Sequence, residues 1–224
     1  MRLAVRRPMT ATQRNERDDA RLRRVMKRTL RPDSNCLDVG AHSGTFLAEF
    51  QRLAPRGIHI AYEPLPALAG ALSERFPDVD VRAAALSDED GESTFVHVVD
   101  LPEYSGLRER SYPRDVATET ITVRTERLDD HLPDGWLPAF VKIDVEGGEL
   151  GVLRGAVETL DRVRPVVAFE HGPGAADRYG TTPADIHALL SEVGLRIFDM
   201  DGHGPLSLAE FEDNRGRFNW IARR

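Results

Sequence analysis

Cysteine is nearly absent from the sequence. Cys36 is the single cysteine among 224 residues, which excludes an intramolecular disulfide framework and a cysteine-rich metal cluster. Long apolar runs are also missing, since none approaches the roughly 20 residues that a membrane-spanning helix needs. The basic first ten residues lack the apolar segment of a signal peptide. We therefore expect a cytoplasmic protein that does not enter a membrane.

Positive charge is in deficit. The chain has 30 basic and 37 acidic residues, a net charge of -7, which argues against general nucleic-acid binding. Two phosphate-binding signatures are missing as well. No G-K-[ST] follows a glycine-rich turn, which excludes a P-loop, and no G-x-G-x-x-G of the dinucleotide type is present.

Hydrophobic residues make up 41% of the chain, enough to build a sizeable core. Short apolar runs alternate with helical patterns, which predicts a doubly wound, mostly parallel sheet with helices on both faces. The strands are predicted at "NCLDVG", "IHIAYEP", "VDVRAAAL", "AFVKIDV", "PVVAFEH", "LRIFDM" and "FNWIAR". Before the fourth strand, "STFVHVV" and "TITVRTERL" interrupt the alternation and predict an inserted β-hairpin or flap.

An amphipathic helix is predicted near the N-terminus. Apolar residues follow helical spacing at Leu22, Val25, Met26 and Leu30, and Pro32 ends the pattern. We predict residues 1–31 as a helical extension and residues 32–224 as a single domain. Further helices are predicted at "GTFLAEFQRLA", "LPALAGALSERF", "GELGVLRGAVETLDRV" and "TPADIHALLSEVG".

The predicted strand ends are acidic. In open α/β sheets, ligands bind beyond the carboxyl ends of the strands. Four of the five ends at this edge carry a carboxylate, and the fifth is Ala85-Leu86; the carboxylates are Asp38, Glu63, Asp144 and Glu170. This enrichment predicts a binding or catalytic site at the edge.

The stretch "LDVGAHSGTF" reads as strand, tight turn and helix. Gly40 and Gly44 allow the turn to approach a ligand, and Glu63 follows where a carboxylate binds ribose hydroxyls. A nicotinamide or flavin enzyme would use a third glycine. Asp38 instead suits a ligand with an ammonium group, such as S-adenosylmethionine. A Rossmann-type NAD(P)-dependent oxidoreductase stays open as the alternative.

Five motifs together resemble the FkbM family of S-adenosylmethionine-dependent methyltransferases: "LDVGAHSGTF", "YEP", "AALSDEDGE", "ETITVRTERLDD" and "FVKIDVEGGELGVLRGA". The resemblance implies a class I fold with seven strands, of which "FNWIAR" is the antiparallel closing strand. It implies methylation of a hydroxyl on a sugar, glycan or polyketide-type natural product. His42 departs from the usual asparagine, and Gly148 from the usual alanine. The cofactor-binding residues are then Asp38, Gly40, Ala41, His42, Gly44, Glu63, Ala85, Leu86 and Asp144.

Lys142 and Asp144 lie on the same side of a strand, because strand side chains alternate. Methyl transfer to an alcohol needs help to remove the hydroxyl proton. Asp144, Glu170 and His171 offer a general base or ligands for magnesium or manganese, and Lys142 completes the predicted catalytic set. Glu146 and Glu149 have a simpler interpretation as first-turn carboxylates at a helix N-terminus.

The segment at 101–115, "LPEYSGLRERSYPRD", is either a solvated loop or a lid over a small-molecule or glycan acceptor. A degenerate fold that serves as a binding module is a further alternative. The identity of the acceptor, metal dependence and a homodimer stay open.

Overall fold

The computed structural model describes residues 11–110, 112, 114–213 and 216–224, and the predictions for residues 1–10 and for positions 111 and 113 lie outside the described residues. The main sheet has seven strands in the order β3-β2-β1-β7-β8-β10-β9. Its strands are β1 (Asn35–Val39), β2 (His59–Tyr62), β3 (Asp80–Arg82), β7 (Pro138–Ile143), β8 (Val166–Glu170), β9 (Arg196–Asp199) and β10 (Asn219–Arg223). Within this sheet, β10 pairs antiparallel with β8 and with β9, and every other pair of neighbouring strands is parallel. The predicted mostly parallel sheet is confirmed.

A second sheet has three strands: β4 (Ala85–Leu86), β5 (Gly91–Val98) and β6 (Thr118–Glu126). Strands β5 and β6 pair antiparallel along their length, so the predicted hairpin is confirmed. The prediction of one strand over "VDVRAAAL" is wrong. The Ala84 amide donates to the Arg82 carbonyl at 3.0 Å, a tight turn after which β4 joins β6 in the second sheet.

The helices are α1 (Ala11–Thr29), α2 (Thr45–Leu53), α3 (Pro66–Arg75), α4 (Leu128–His131), α5 (Glu149–Arg154), α6 (Val157–Val163), α7 (Pro183–Glu192) and α8 (Leu208–Glu212). The prediction of one helix over "GELGVLRGAVETLDRV" is wrong, since α5 and α6 are separate. A Cβ on Gly155 would lie 2.0 Å from the Ser87 carbonyl oxygen, so the chain passes very close to its neighbour there. The Asp129 carboxylate accepts from the Glu158 and Thr159 amides, both at 2.9 Å, and thereby caps the start of α6.

Two hydrophobic clusters hold the helices against the sheet. Leu22 and Met26 of α1 are buried in the same cluster as Cys36, Phe140 and Ile221 of the sheet, so this helix contributes to the core. Burial raises the pKa of the Cys36 thiol, with a further contribution from the Asp38 charge, which makes it unreactive. Within the described ranges, no helix combines the length and apolar character required to span a bilayer.

Candidate functional site

The glycine turn between β1 and α2 reaches the end of β7. Gly40 has φ 77°, and a Cβ on it would lie 1.9 Å from the Asp144 carbonyl oxygen. Gly44 has φ 74° and begins α2, and a Cβ there would lie 2.5 Å from the Phe76 ring. Both positions therefore require glycine, because a side chain would be strained and would clash. The backbone at Gly40 is left open to a ligand.

Glu63 follows β2 and is bound to that turn. Its carboxylate accepts from the His42 amide at 2.8 Å and from the Leu65 amide at 3.0 Å. A carboxylate has about four acceptor positions, so Glu63 keeps acceptor capacity for the hydroxyls of a ribose. Burial raises the pKa of Glu63, and the two amide hydrogen bonds oppose that rise. His42 itself has φ 47°, a region in which asparagine is the best-tolerated residue after glycine.

A cavity that is partly open to solvent lies along these strand ends. Ala85 and Leu86 form part of its apolar wall, and Pro102, Ser105 and Leu107 of the inserted segment cover it. Ser105 is fixed by its hydroxyl, which accepts from the Val98 amide at 2.9 Å. The predicted residues Gly40, His42, Glu63, Ala85, Leu86 and Asp144 all line this cavity. Ala41 lines the adjoining cavity beside Lys142.

Lys142 lies between two carboxylates. Its Nζ is 3.3 Å from Asp144 Oδ2, 3.5 Å from Asp38 Oδ1 and 3.4 Å from the Gly40 carbonyl oxygen. Burial lowers the pKa of Lys142, but the charges of Asp144 and Asp38 outweigh it and raise the pKa overall. Lys142 is thus held as an ammonium that cannot act as a base, and it positions the two carboxylates.

Asp38, in β1 just before the glycine turn, is not among the residues that line either cavity. The residue is 1% exposed, and neither carboxylate oxygen has a hydrogen-bond partner among the described residues, Lys142 being 3.5 Å away. Burial raises the pKa of Asp38, and the Lys142 charge opposes the rise. Lys142 therefore supplies the charge partner of this buried carboxylate.

Asp144, Glu146 and Glu170 come together at the ends of β7 and β8. Each places one carboxyl oxygen within 4.8 Å of the other two. Burial raises the pKa of Glu170 well above its ordinary value, and the Asp144 charge adds to the rise. Burial acts the same way on Asp144, but the Lys142 ammonium and a hydrogen bond from Glu170 lower its pKa overall. The two carboxyls therefore shift in opposite directions, with the pKa of Asp144 lowered and that of Glu170 raised.

His171 is not brought to this cluster. Its ring lies in a separate cavity with Trp220 and Phe211, at 5.7 Å between the ring centroids of His171 and Phe211. Its amide and carbonyl pair with the Phe218 carbonyl and the Trp220 indole. Burial lowers the pKa of His171. The geometry therefore separates the predicted imidazole from Asp144 and Glu170.

Glu146 and Glu149 are predicted as first-turn carboxylates of a helix, which holds for Glu149 at the start of α5, whereas Glu146 precedes that helix; Arg110 carries no individual assignment. Glu149 is 1% exposed and accepts from the Gly147 and Val145 amides at 3.1 and 3.3 Å, so it holds the turn after β7 rather than facing solvent. Glu146 has φ 59°, a strained value outside glycine. Arg110 of the inserted segment forms an ion pair with Glu146. Spacing along the chain gives no signal for this long-range pair.

The three carboxyls do not fit a divalent cation as they stand. Lys142 is already paired with Asp144, and Arg110 is paired with Glu146. Two of the three carboxylates thus have a cationic side chain where a metal ion would have to bind. The third predicted metal ligand, His171, lies in another cavity.

The strand order, the antiparallel β10 and the glycine turn facing an acidic strand end define a class I methyltransferase. A sequence profile described as the Methyltransferase FkbM domain matches residues 38–197. The chain belongs to the FkbM methyltransferase family.

Individual relatives are distant. The chain is 28% identical over 159 residues to the 2-O-methyltransferase NoeI of Sinorhizobium fredii, covering 63% of this chain and 65% of that protein. It is 28% identical over 178 residues to the hexuronic acid methyltransferase AglP of Haloferax volcanii, covering 77% of this chain and 67% of the relative. The crystal structure of methyltransferase FkbM from Methylobacillus flagellatus KT aligns with TM-score 0.53 at 19% identity, over 87% of this chain and 45% of that one. That structural likeness concerns the fold.

Proposed function

We propose that the protein transfers a methyl group from S-adenosylmethionine to a hydroxyl of a sugar or glycan. The observation that carries this proposal is the Asp144–Glu170 carboxyl pair: Asp144 lines the same cavity as Gly40 and Glu63, and one oxygen of Glu170 lies within 4.8 Å of Asp144. The names of NoeI and AglP, a 2-O-methyltransferase and a hexuronic acid methyltransferase, support oxygen as the target and a sugar as the acceptor.

The donor-binding residues have distinct tasks. Glu63 would accept from the ribose hydroxyls, and the amino-acid tail would lie above Gly40. Ala85 and Leu86 supply an apolar wall for the purine base. When bound, S-adenosylmethionine supplies a methyl group on a cationic sulfur. These residues would hold it with the methyl group toward Asp144, and alignment of this kind accounts for much of the rate of a displacement reaction.

Glu170 is the proposed general base. In its ionised form it takes the proton of the acceptor hydroxyl, while the hydroxyl oxygen forms a bond to the methyl carbon. The carbon–sulfur bond breaks and its electron pair stays on sulfur, so the products are a methyl ether and S-adenosylhomocysteine. Asp144 raises the basicity of Glu170 through its charge, and Lys142 keeps Asp144 in place.

The pH dependence follows from this assignment. A base acts only when it is ionised, and burial together with the Asp144 charge raises the pKa of Glu170. Activity should therefore rise with pH through a group that titrates well above the ordinary glutamate range. Because the two carboxyls are coupled, the profile reports the pair as a unit.

The test is turnover of S-adenosylmethionine with a panel of sugar acceptors, for wild type and Glu170→Gln. We expect Glu170→Gln to lower kcat at least about 100-fold and to bind S-adenosylhomocysteine as tightly as wild type. His171→Gln is the matched control on the next residue and should keep kcat. Full turnover by Glu170→Gln would contradict the base assignment. Wild-type protein that binds NADH instead would support the oxidoreductase alternative.

A further inference from the structure

Arg110 and Glu146 meet across the mouth of the site from distant parts of the chain. Arg110 lies in the segment between β5 and β6, and Glu146 lies in the turn after β7. Their side chains form an ion pair and are only 18% and 19% exposed. Glu146 lines both the cavity along the strand ends and the adjoining cavity beside Lys142. The ion pair therefore borders both cavities through Glu146.

Arg110 retains binding capacity in this position. Its guanidinium carbon lies 5.1 Å from the centroid of the Tyr104 ring. Its Nε is buried and has no hydrogen-bond partner among the described residues. A buried donor without a partner is costly, and an oxygen of a bound acceptor would satisfy it.

Glu146 is held in a strained conformation that keeps it at the mouth. Its φ of 59° is uncommon outside glycine, and such outliers concentrate at functional sites. The turn is fixed from below by Glu149, which accepts from the amides of Val145 and Gly147. Gly106 of the inserted segment packs against this turn, and a Cβ on Gly106 would lie 3.6 Å from Glu146 Cβ.

A guanidinium only donates hydrogen bonds, and a carboxylate only accepts them. Side by side, they match two neighbouring hydroxyls, one of which accepts from Arg110 while the other donates to Glu146. The Tyr104 ring adds an apolar surface for the ring carbons of a sugar. An isolated alcohol would have to serve both groups through one oxygen, whereas two neighbouring hydroxyls engage each group separately.

We propose that Arg110 and Glu146 clamp two adjacent hydroxyls of the acceptor, so that the enzyme selects a vicinal diol and methylates a hydroxyl beside Glu170. The inference rests on the proposed O-methyltransferase function and adds its acceptor specificity. Glu146 also lies within 4.8 Å of Asp144 and Glu170 by one oxygen of each group. A diol held by the clamp therefore has a hydroxyl within reach of the base.

The experiment uses the full chain with S-adenosylmethionine and the methyl glycosides of glucose, galactose, fucose and glucuronic acid. Each acceptor that is methylated is compared with its analogue lacking the hydroxyl next to the methylated one. For wild type, we expect removal of that hydroxyl to lower kcat/KM about 10- to 100-fold, mainly through KM. For Arg110→Gln and Glu146→Gln, the diol should react no better than the deoxy analogue, and the analogue should react as it does with wild type.

Arg114→Gln is the control, because Arg114 is exposed on the same segment, and it should keep the wild-type preference. An equal loss with diol and deoxy acceptors would show a merely structural pair and overturn the clamp. Affinity for S-adenosylhomocysteine, measured by calorimetry on the same proteins, separates the two proposals. Absence of binding to wild type contradicts the donor assignment, whereas intact binding without diol preference, or without turnover of any glycoside, contradicts the clamp.

Discussion

The Lys142 ammonium lies 3.3 Å from the Asp144 carboxylate, and this ion pair connects the glycine turn to the acidic end of β7. The same ammonium lies 3.5 Å from Asp38 and 3.4 Å from the Gly40 carbonyl oxygen. Three elements of the site thus share one cation whose side chain is 9% exposed. This explains why a lysine interrupts the apolar residues of β7.

Replacing Lys142 by methionine should destabilise the protein. The variant leaves Asp38 and Asp144 without their cation, and breaking a buried pair in this way costs about 3–5 kcal/mol. We expect a fall in Tm of about 6 °C or more in differential scanning calorimetry. The double variant Lys142→Met/Asp38→Asn should recover part of the loss, since it removes one uncompensated charge. A Tm unchanged in the single variant would contradict the proposed role of the ion pair.

Two adjacent glycines should respond oppositely to alanine. Gly147 has φ 108°, and a Cβ there would lie 2.6 Å from the Ala175 carbonyl carbon. Gly148 has φ -82°, and its nearest neighbour would be at 3.5 Å, an ordinary contact. In urea denaturation, Gly147→Ala should lower the free energy of unfolding by about 2 kcal/mol or more. Gly148→Ala should raise it by up to about 1 kcal/mol. Equal changes in stability for the two variants would contradict the positive φ of Gly147 and its close approach to Ala175.

Glu149 should make stability depend on pH. Burial raises its pKa from 4.5 to about 7, so the protonated form is favoured in the folded state. That contribution to stability is complete below pH 4.5 and is lost as pH rises through about 7. The difference between the two pKa values corresponds to about 3 kcal/mol as an upper limit.

The variant Glu149→Gln isolates this effect, because its amide oxygen can still accept from the Gly147 and Val145 amides. The free energy of unfolding should fall less between pH 5 and pH 8 in the variant than in wild type. Glu158→Gln, exposed on α6, is the control and should follow wild type. Identical pH slopes for Glu149→Gln and wild type would rule out an elevated Glu149 pKa.

The sequence predicts the sheet and the glycine turn because both depend on residues that are close together along the chain. Gly40 and Gly44 are needed by the backbone itself, and the alternation of strands and helices determined the order of elements. The separation of His171 from Glu170 was also accessible from the sequence. Neighbouring strand residues point to opposite faces, so Glu170 and His171 were poor candidates for one site.

The remaining features depend on contacts between distant residues. The pairing of Arg110 with Glu146 is made across a long insertion, and no periodicity marks it. The break between α5 and α6 arises where Gly155 passes the Ser87 carbonyl and Asp129 caps the second helix. Tertiary contacts of this kind override the helical pattern that the sequence shows continuously.

The most direct test of the central claim is a thermal-shift titration with S-adenosylmethionine, S-adenosylhomocysteine and NADH, on wild type and Glu63→Gln. At a hundredfold excess over the dissociation constant, a ligand stabilises by about 2.7 kcal/mol, which raises Tm by about 5–10 °C at this chain length. We predict this rise with the first two ligands only, and a much smaller one in Glu63→Gln. A rise with NADH alone, or with none of the three, would contradict the donor site described at the ends of β1, β2 and β7.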